Sequence, residues 1–133
     1  MRTRLLSALC LITCFSYVSG VQAAADVSAG KAVFERICIS CHMANGQGLP
    51  GAFPPLAQSD FFKKAKPEHL VKIMQNGLSG EIVVNGVHHN SVMPPPDLTE
   101  QETADVLNFV SVQLNGGKPI LTPARVKAIR AAP

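Results

Sequence analysis

The chain alternates stretches of helical hydrophobic spacing with long irregular segments. The first such stretch covers about residues 28–38, where Val33 and Ile37 stand four positions apart. Apolar residues at this spacing share one face of a helix. Asp26 or Ser28 can begin this helix, because a short side-chain oxygen accepts hydrogen bonds from the free N–H groups of a first turn.

The second predicted helix covers about residues 67–76. Pro67 suits its first position, because the missing N–H of proline is not needed in a first turn. Gly77 ends the helix, since glycine readily takes the left-handed conformation. A shorter helical piece at residues 59–64 precedes it.

The third predicted helix runs from Glu100 to about Asn115. Thr99 and Glu102 form the pattern of a capping box, in which each side chain binds the backbone N–H of the other residue. A glycine pair at 116–117 follows and stops the helix. Together these elements predict an all-α domain of three to four helices joined by long loops.

Two long segments separate the predicted helices. Residues 43–57 are rich in Gly and Pro, while residues 78–98 contain the turn sequence Val84-Asn85-Gly86-Val87, which favours a small hairpin. A loop this long inside a small domain is usually functional or disordered. The tail after Lys118 is basic, and we expect it to be only partly ordered.

The start of the chain has the three-part plan of a secretory signal peptide. Arg2 and Arg4 supply positive charge, an apolar run extends from Leu5 to Val18, and small residues allow cleavage after Ala23 or Ala25. The alternative is an uncleaved N-terminal anchor, although the run is shorter than the ~20 residues that cross a bilayer.

Cleavage there divides the chain into a signal peptide at 1–25, a domain at 26–117 and a C-terminal extension at 118–133. Loss of two arginines lowers the formal charge from +3 to +1, and no run of charge indicates a nucleic-acid partner. The predicted mature chain has neither Tyr nor Trp. With so few large rings its own core is thin, which leaves room for another component.

The strongest chemical signal is Cys38-Ile39-Ser40-Cys41-His42. Two cysteines separated by two residues and followed by histidine are the signature of covalent haem attachment. Each thiol adds to one vinyl group, and His42 becomes an axial ligand of the iron. The alternatives are a thiol–disulfide pair or half of a zinc site. The first normally lies in an α/β pattern, and the second needs another pair of ligands, for which His88-His89 is poorly suited.

The iron then needs a sixth ligand or an open position. Methionine and histidine supply the candidates, which are Met43, Met74, Met93, His69, His88 and His89. Met93 is preferred because it lies far along the long loop and is followed by three prolines, which hold a loop at low entropic cost. Met74 fits a helix face as core filler, and Met43 adjoins His42 and so lies on the wrong side.

Over nearly all of residues 28–115 the chain resembles the class I c-type cytochromes, which carry a single haem. The matching residues are Gly30 and Phe34, the Cys-x-x-Cys-His motif, Phe53-Pro54-Pro55-Leu56, Met93-Pro94, and Val106 and Phe109. The resemblance implies a small cytochrome c fold wrapped around one haem c, with the first and last helices crossing at Gly30. It also implies that the carbonyl of Pro54 accepts from the proximal histidine and that Leu56 packs against the haem.

One family feature is absent from the sequence. Many members bind a haem propionate with Tyr or Trp, which the predicted mature chain lacks. The substitutes are left open among four polar residues of the long loop, namely Asn85, His88, His89 and Asn90.

The expected function is electron transfer in the periplasm, not catalysis. Ligation by His42 and Met93 leaves no vacant position on the iron and favours its ferrous form. The alternative is a catalytic or gas-sensing haem protein whose sixth position opens. Residues 77–95 resemble cytochromes that serve periplasmic enzymes, so the expected partner is a periplasmic redox enzyme or membrane electron-transfer complex of the dehydrogenase, copper nitrite reductase or terminal oxidase type. After cleavage we do not expect an integral membrane protein.

Overall fold

The computed structural model describes residues 26–133, so the predicted signal peptide lies outside the described residues. The elements in chain order are α1 (Val27–Val33), a π-helical segment (Phe34–Cys38), α2 (Ile39–His42), α3 (Asp60–Lys64), α4 (Pro67–Asn76), β1 (Ile82–Val84), β2 (Val87–His89), α5 (Glu100–Phe109), a second π-helical segment (Val110–Leu114) and α6 (Pro123–Ala131). Within this range no helix combines the length and the hydrophobicity needed to cross a membrane. The all-α prediction is confirmed, and the strands of the described residues form one small hairpin.

The first helical stretch is longer and less regular than predicted. Asp26 caps α1 by accepting from the Ser28 amide at 2.8 Å. At Phe34–Cys38 the helix widens, and the Ile39 amide donates to the carbonyl of Phe34, five residues earlier. Such π turns insert one residue into a helix and are frequent at functional sites. The helix then continues as α2, so that the Cys-x-x-Cys-His motif spans the end of the π-helical segment and α2.

The second and third predicted helices form where the sequence places them. Pro67 opens α4, and the Gly77 amide closes it on the carbonyl of Ile73 at 2.8 Å. At the start of α5, Thr99 and Glu102 make both bonds of the capping box. The continuation of α5 takes the π-helical form that the sequence did not predict.

Helices α1 and α5 cross in direct contact at Gly30. A Cβ atom placed on Gly30 lies 2.0 Å from the carbonyl oxygen of Asp105 and 2.8 Å from the Cβ of Phe109. The rings of Phe34 and Phe109 pack beside this crossing with centroids 5.3 Å apart. The close approach implied by the family resemblance is therefore present, and it centres the hydrophobic core between these two helices.

The predicted hairpin is present in the long loop. Strands β1 and β2 pair antiparallel, with Val84 opposite Val87 and Ile82 opposite His89. Asn85 and Gly86 form the turn with φ angles of 52° and 80°, as a two-residue primed turn requires.

The expectation of a partly ordered tail after Lys118 is wrong. Residues 123–131 form α6, which Thr122 caps by accepting from the Arg125 amide. Val126 and Ile129 are buried in the main core, and α6 packs on α5 and α4. Arg125 and Lys127 lie on the exposed face of this amphipathic helix, whereas Arg130 is partly buried beside α5.

Candidate haem-binding cleft

An apolar cleft lies between the Cys-x-x-Cys-His helix, the long loop and α5. The cleft is open to solvent on one side, and the empty space within it and its mouth is about 1090 Å³. Its walls bring together the predicted site residues Cys38, Cys41, His42, Pro54, Leu56 and Met93. Residues from distant parts of the sequence thus converge on one site.

The imidazole of His42 is fixed from behind by the backbone. Its Nδ1 lies 3.0 Å from the carbonyl oxygen of Pro54, which accepts the N–H. Burial lowers the pKa of His42, and the bond to Pro54 opposes this only in part. The ring is therefore neutral near neutral pH, and the Nδ1–H donor leaves the lone pair on Nε2 for the cleft. This is the tautomer that a metal-ligating histidine needs.

The two cysteines stand one helical turn apart on the same wall. Both are half-buried and line the cleft. Burial, and next the nearby Cys41, raises the pKa of the Cys38 thiol to about 11. At neutral pH Cys38 is therefore a protonated thiol, which is unlike the low-pKa thiolate of a disulfide exchange catalyst. This difference favours the thioether-forming interpretation over the thiol–disulfide alternative.

The donor set and the lining fit a covalently bound haem. Two thiols and one oriented imidazole meet a wall that is almost wholly apolar, including Phe53, Leu70 and Val106. An apolar macrocycle anchored at one edge and ligated from one side needs this combination. Among residues 26–133 no group of three or more His, Cys, Asp or Glu side chains is placed to hold a metal ion together, so the zinc alternative finds no further ligands there.

Met93 lies on the cleft wall in a segment that is held by backbone pairing. Its amide donates to the carbonyl of Leu78 at 2.8 Å, and the Leu78 amide donates back to the carbonyl of Met93 at 2.9 Å. Gly77 allows the two backbone segments to approach closely enough for this pairing. It has a φ of 76°, and a Cβ there would lie 2.5 Å from the Met93 carbonyl oxygen. The end of α4 thus sets the position of Met93.

The other candidate ligands are separated by the fold. Met74 is buried in the core and also forms part of the cleft wall. Met43 follows His42 with a φ of 62° and is not among the residues that line the cleft. His69 is exposed, beside the ring of Phe61. Of the methionines and histidines considered, only His42, Met74 and Met93 line the cleft.

The four open propionate candidates also occupy different environments. Asn85 is engaged, since its side chain accepts from the Asp60 amide at 2.9 Å. His88 is exposed and lies 3.0 Å from Glu81. His89 is buried, with no hydrogen-bond partner for its Nε2 among the described residues. Asn90 is exposed. The adjacent histidines thus point to opposite faces of β2, and none of the four lines the cleft.

Sequence reasoning missed two supports of the cleft. The first is the pairing of Leu78 with Met93, which joins positions far apart in the chain and has no local signal. The second is Asn115, whose side chain donates to the carbonyl of Leu56 at 2.9 Å and accepts from the Ser59 amide at 3.0 Å. The sequence did offer a signal for this contact, namely a polar residue next to the glycine pair that ends the third predicted helix.

Comparison with known proteins shows to which family the sequence is similar. The sequence model of the family described as Cytochrome c matches residues 27–113. Cytochrome c-552 of Thermus thermophilus is 39% identical over 104 residues, covering 71% of this chain and 79% of that protein. The cytochrome c subunit of a quinone alcohol dehydrogenase from Gluconacetobacter polyoxogenes is 29% identical over 105 residues, covering 76% of this chain but only 22% of that protein. The cytochrome subunit of a fructose dehydrogenase from Gluconobacter japonicus is 25% identical, again over 22% of its own length.

Proposed function

This chain belongs to the cytochrome c family, and we propose that it is a periplasmic carrier of single electrons whose haem iron is held by His42 and Met93. Members of this family bind haem c covalently, and Cys38 and Cys41 have the attachment spacing. The observation that supports the carrier function best is the presence of both proposed ligands on the walls of one apolar cleft.

The protein's contribution is to hold both ligands still. When bound, the haem supplies the one-electron ferrous–ferric couple. The bond from His42 to Pro54 fixes the imidazole, and the pairing with Leu78 fixes the backbone of Met93. Because both ligands are held in place, little rearrangement is needed when the iron would change its oxidation state. A thioether ligand and an apolar wall both favour the ferrous form, so we expect a comparatively high potential.

The second candidate is a catalytic or gas-sensing protein whose sixth position opens. It would require Met93 to leave easily, together with an acid–base group on that side of the cleft. The backbone hydrogen bonds that the amide and the carbonyl of Met93 make with Leu78 oppose the departure of Met93. The cleft lining contains no Asp, Glu, Lys or Arg side chain, which removes the usual acids and bases apart from His42.

Two segments that supply much of the cleft wall carry no charged side chain. Residues 37–59 and 82–96 supply most of the cleft wall and contain no Asp, Glu, Lys or Arg. The large exposed hydrophobic residues of the described chain all fall in these two segments, namely Leu49, Val83, Val87 and Val92. We therefore propose brief docking through a small, mainly apolar patch with modest charge steering. The partner is a redox enzyme or membrane complex of the dehydrogenase, copper nitrite reductase or terminal oxidase type.

Electron self-exchange between oxidised and reduced copies of the protein tests this carrier function. We expect rapid exchange in NMR spectra of mixtures, with a rate that changes by less than about threefold between low salt and ~1 M salt, because screening acts only on charges. Val92→Glu should slow the exchange at low salt. Ala124→Glu, on a helix outside the cleft lining, should not. Slow exchange in the unaltered protein would contradict the carrier function, and a steep salt dependence would contradict the apolar patch.

We further propose that the protein is exported. The support is the three-part pattern of residues 1–25 together with a haem motif that is matured outside the cytoplasm. Mass spectrometry of the protein from a periplasmic fraction should give a chain that begins at Ala24 or Asp26 and carries one covalent haem. A haem-loaded chain that retains residues 1–25 and sediments with membranes would support the anchor instead.

A further inference from the structure

The C-terminal helix α6 is tied firmly to the rest of the molecule although it lies beyond the family match, which ends at residue 113. Asn108 of α5 is fully buried and binds the segment that leads into α6. Its side chain accepts from the amides of Ile120 and Leu121 at 2.7 and 3.0 Å and donates to the carbonyl of Leu121 at 2.8 Å. The segment that leads into α6 is therefore held against α5 by three hydrogen bonds.

Arg130 of α6 is hydrogen bonded to residues at the start of α5. Its Nη2 donates to the carbonyl of Leu98 at 3.0 Å and to Oγ1 of Thr103 at 2.8 Å. Its Nη1 lies 3.7 Å from Glu100, and only 20% of its side chain is exposed. Hydrogen bonds from a charged, largely buried group are among the stronger ones in proteins. Arg130 thus clamps the junction at which the long loop enters α5.

That junction is one end of a stiff strap. Met93 and Leu98 are joined by three consecutive prolines and Asp97. Each proline fixes its own φ and restricts the residue before it. The other end of the strap is paired with Leu78. A displacement at Leu98 is therefore transmitted along the strap to Met93 instead of being absorbed by flexible residues.

We propose that Arg130 is a positioning residue for Met93, acting through Leu98 and the proline strap. This rests on the function proposed above, in which Met93 is the distal ligand. The C-terminal helix thereby limits how readily an outside ligand displaces the methionine. The role belongs to the segment that the family match does not cover.

The test measures imidazole binding to the oxidised, haem-loaded protein, because imidazole competes with Met93 for its position. Arg130→Met keeps the apolar stem and removes the hydrogen bonds, and we expect it to bind imidazole about tenfold more tightly. Thr103→Val removes one acceptor and should shift affinity in the same direction by less. The matched control is Arg125→Met on the same helix, whose partner Glu68 is on α4. It should stay within about twofold of the unaltered protein.

The proposal would be overturned if both Arg130→Met and Thr103→Val bound imidazole with an affinity within twofold of that of the unaltered protein. This holds even if the melting temperatures of the two variants fell. If Arg130→Met fails to fold, Thr103→Val decides the question alone. The weak sulfur-to-iron absorption band of the unaltered protein distinguishes failure of this proposal from failure of the proposed function. A missing band means that Met93 is not the ligand at all, whereas a normal band with unchanged imidazole affinity refutes only the role of Arg130.

Discussion

Replacing Gly30 by alanine is expected to destabilise the haem-loaded protein by about 3 kcal/mol or more, near or above the upper end of ordinary overpacking. The added methyl group would lie 2.0 Å from the Asp105 carbonyl oxygen and 2.5 Å from its carbon. Both are backbone atoms of α5, so no side-chain rotation can relieve the contact. Helices α1 and α5 must separate, which loosens the core around Phe34 and Phe109.

The expected sign of the stability change distinguishes the close helix crossing from an ordinary helix position. In an exposed helix, Gly→Ala stabilises by about 1 kcal/mol, so destabilisation can come only from the close crossing. Denaturant unfolding monitored by circular dichroism measures the difference. Lys31→Ala on the same helix is the control, since it removes only an exposed pair with Glu35, and it should change stability by less than about 0.5 kcal/mol. Equal or greater stability of Gly30→Ala would show that the helices do not meet as described.

Asn108→Ala is expected to cost about 3–5 kcal/mol, because each buried polar group that loses its partner costs about 1–3 kcal/mol. The substitution removes three hydrogen bonds at once, two to the amides of Ile120 and Leu121 and one to the carbonyl of Leu121. Water cannot easily replace them, because Asn108 is fully buried. The change should also release α6, whose connection to α5 runs through these bonds.

Hydrogen exchange distinguishes release of α6 from general instability. In Asn108→Ala, amides of α6 should lose protection under conditions in which amides of α1 remain protected. Asn76→Ala is the control, since Asn76 is exposed at the end of α4, and it should leave both stability and exchange nearly unchanged. If α6 stayed as protected in Asn108→Ala as in the unaltered protein, its anchoring would lie elsewhere.

Features encoded by neighbouring residues were predictable from the sequence. The capping box at Thr99 and Glu102, the proline that opens α4 and the Asn85-Gly86 turn all depend on interactions within a few positions, and all are present. The Cys-x-x-Cys-His motif was equally local. The bond from His42 to Pro54 crosses a loop, and it was anticipated only through the family resemblance.

Features that depend on distant contacts were not predictable. Helix α6 has only Val126 and Ile129 as buried anchors among basic residues, so its hydrophobic periodicity was weak. Thr122 followed by Pro123 was the start signal that could have revealed it. The π-helical turns have no simple pattern in the sequence. The pairing of Leu78 with Met93 depends on a tertiary approach that no local rule encodes.

The most direct test of the account is the visible and near-infrared spectrum of the exported protein, oxidised and reduced, beside Met93→Ala and Met74→Leu. Met74 is the matched control, because it also lines the cleft. The account predicts sharp low-spin bands, no ready binding of carbon monoxide, and a weak sulfur-to-ferric-iron band that disappears in Met93→Ala but persists in Met74→Leu. A band that survives in Met93→Ala, or a high-spin protein that binds carbon monoxide readily, would contradict ligation by His42 and Met93 and favour a catalytic or sensing haem.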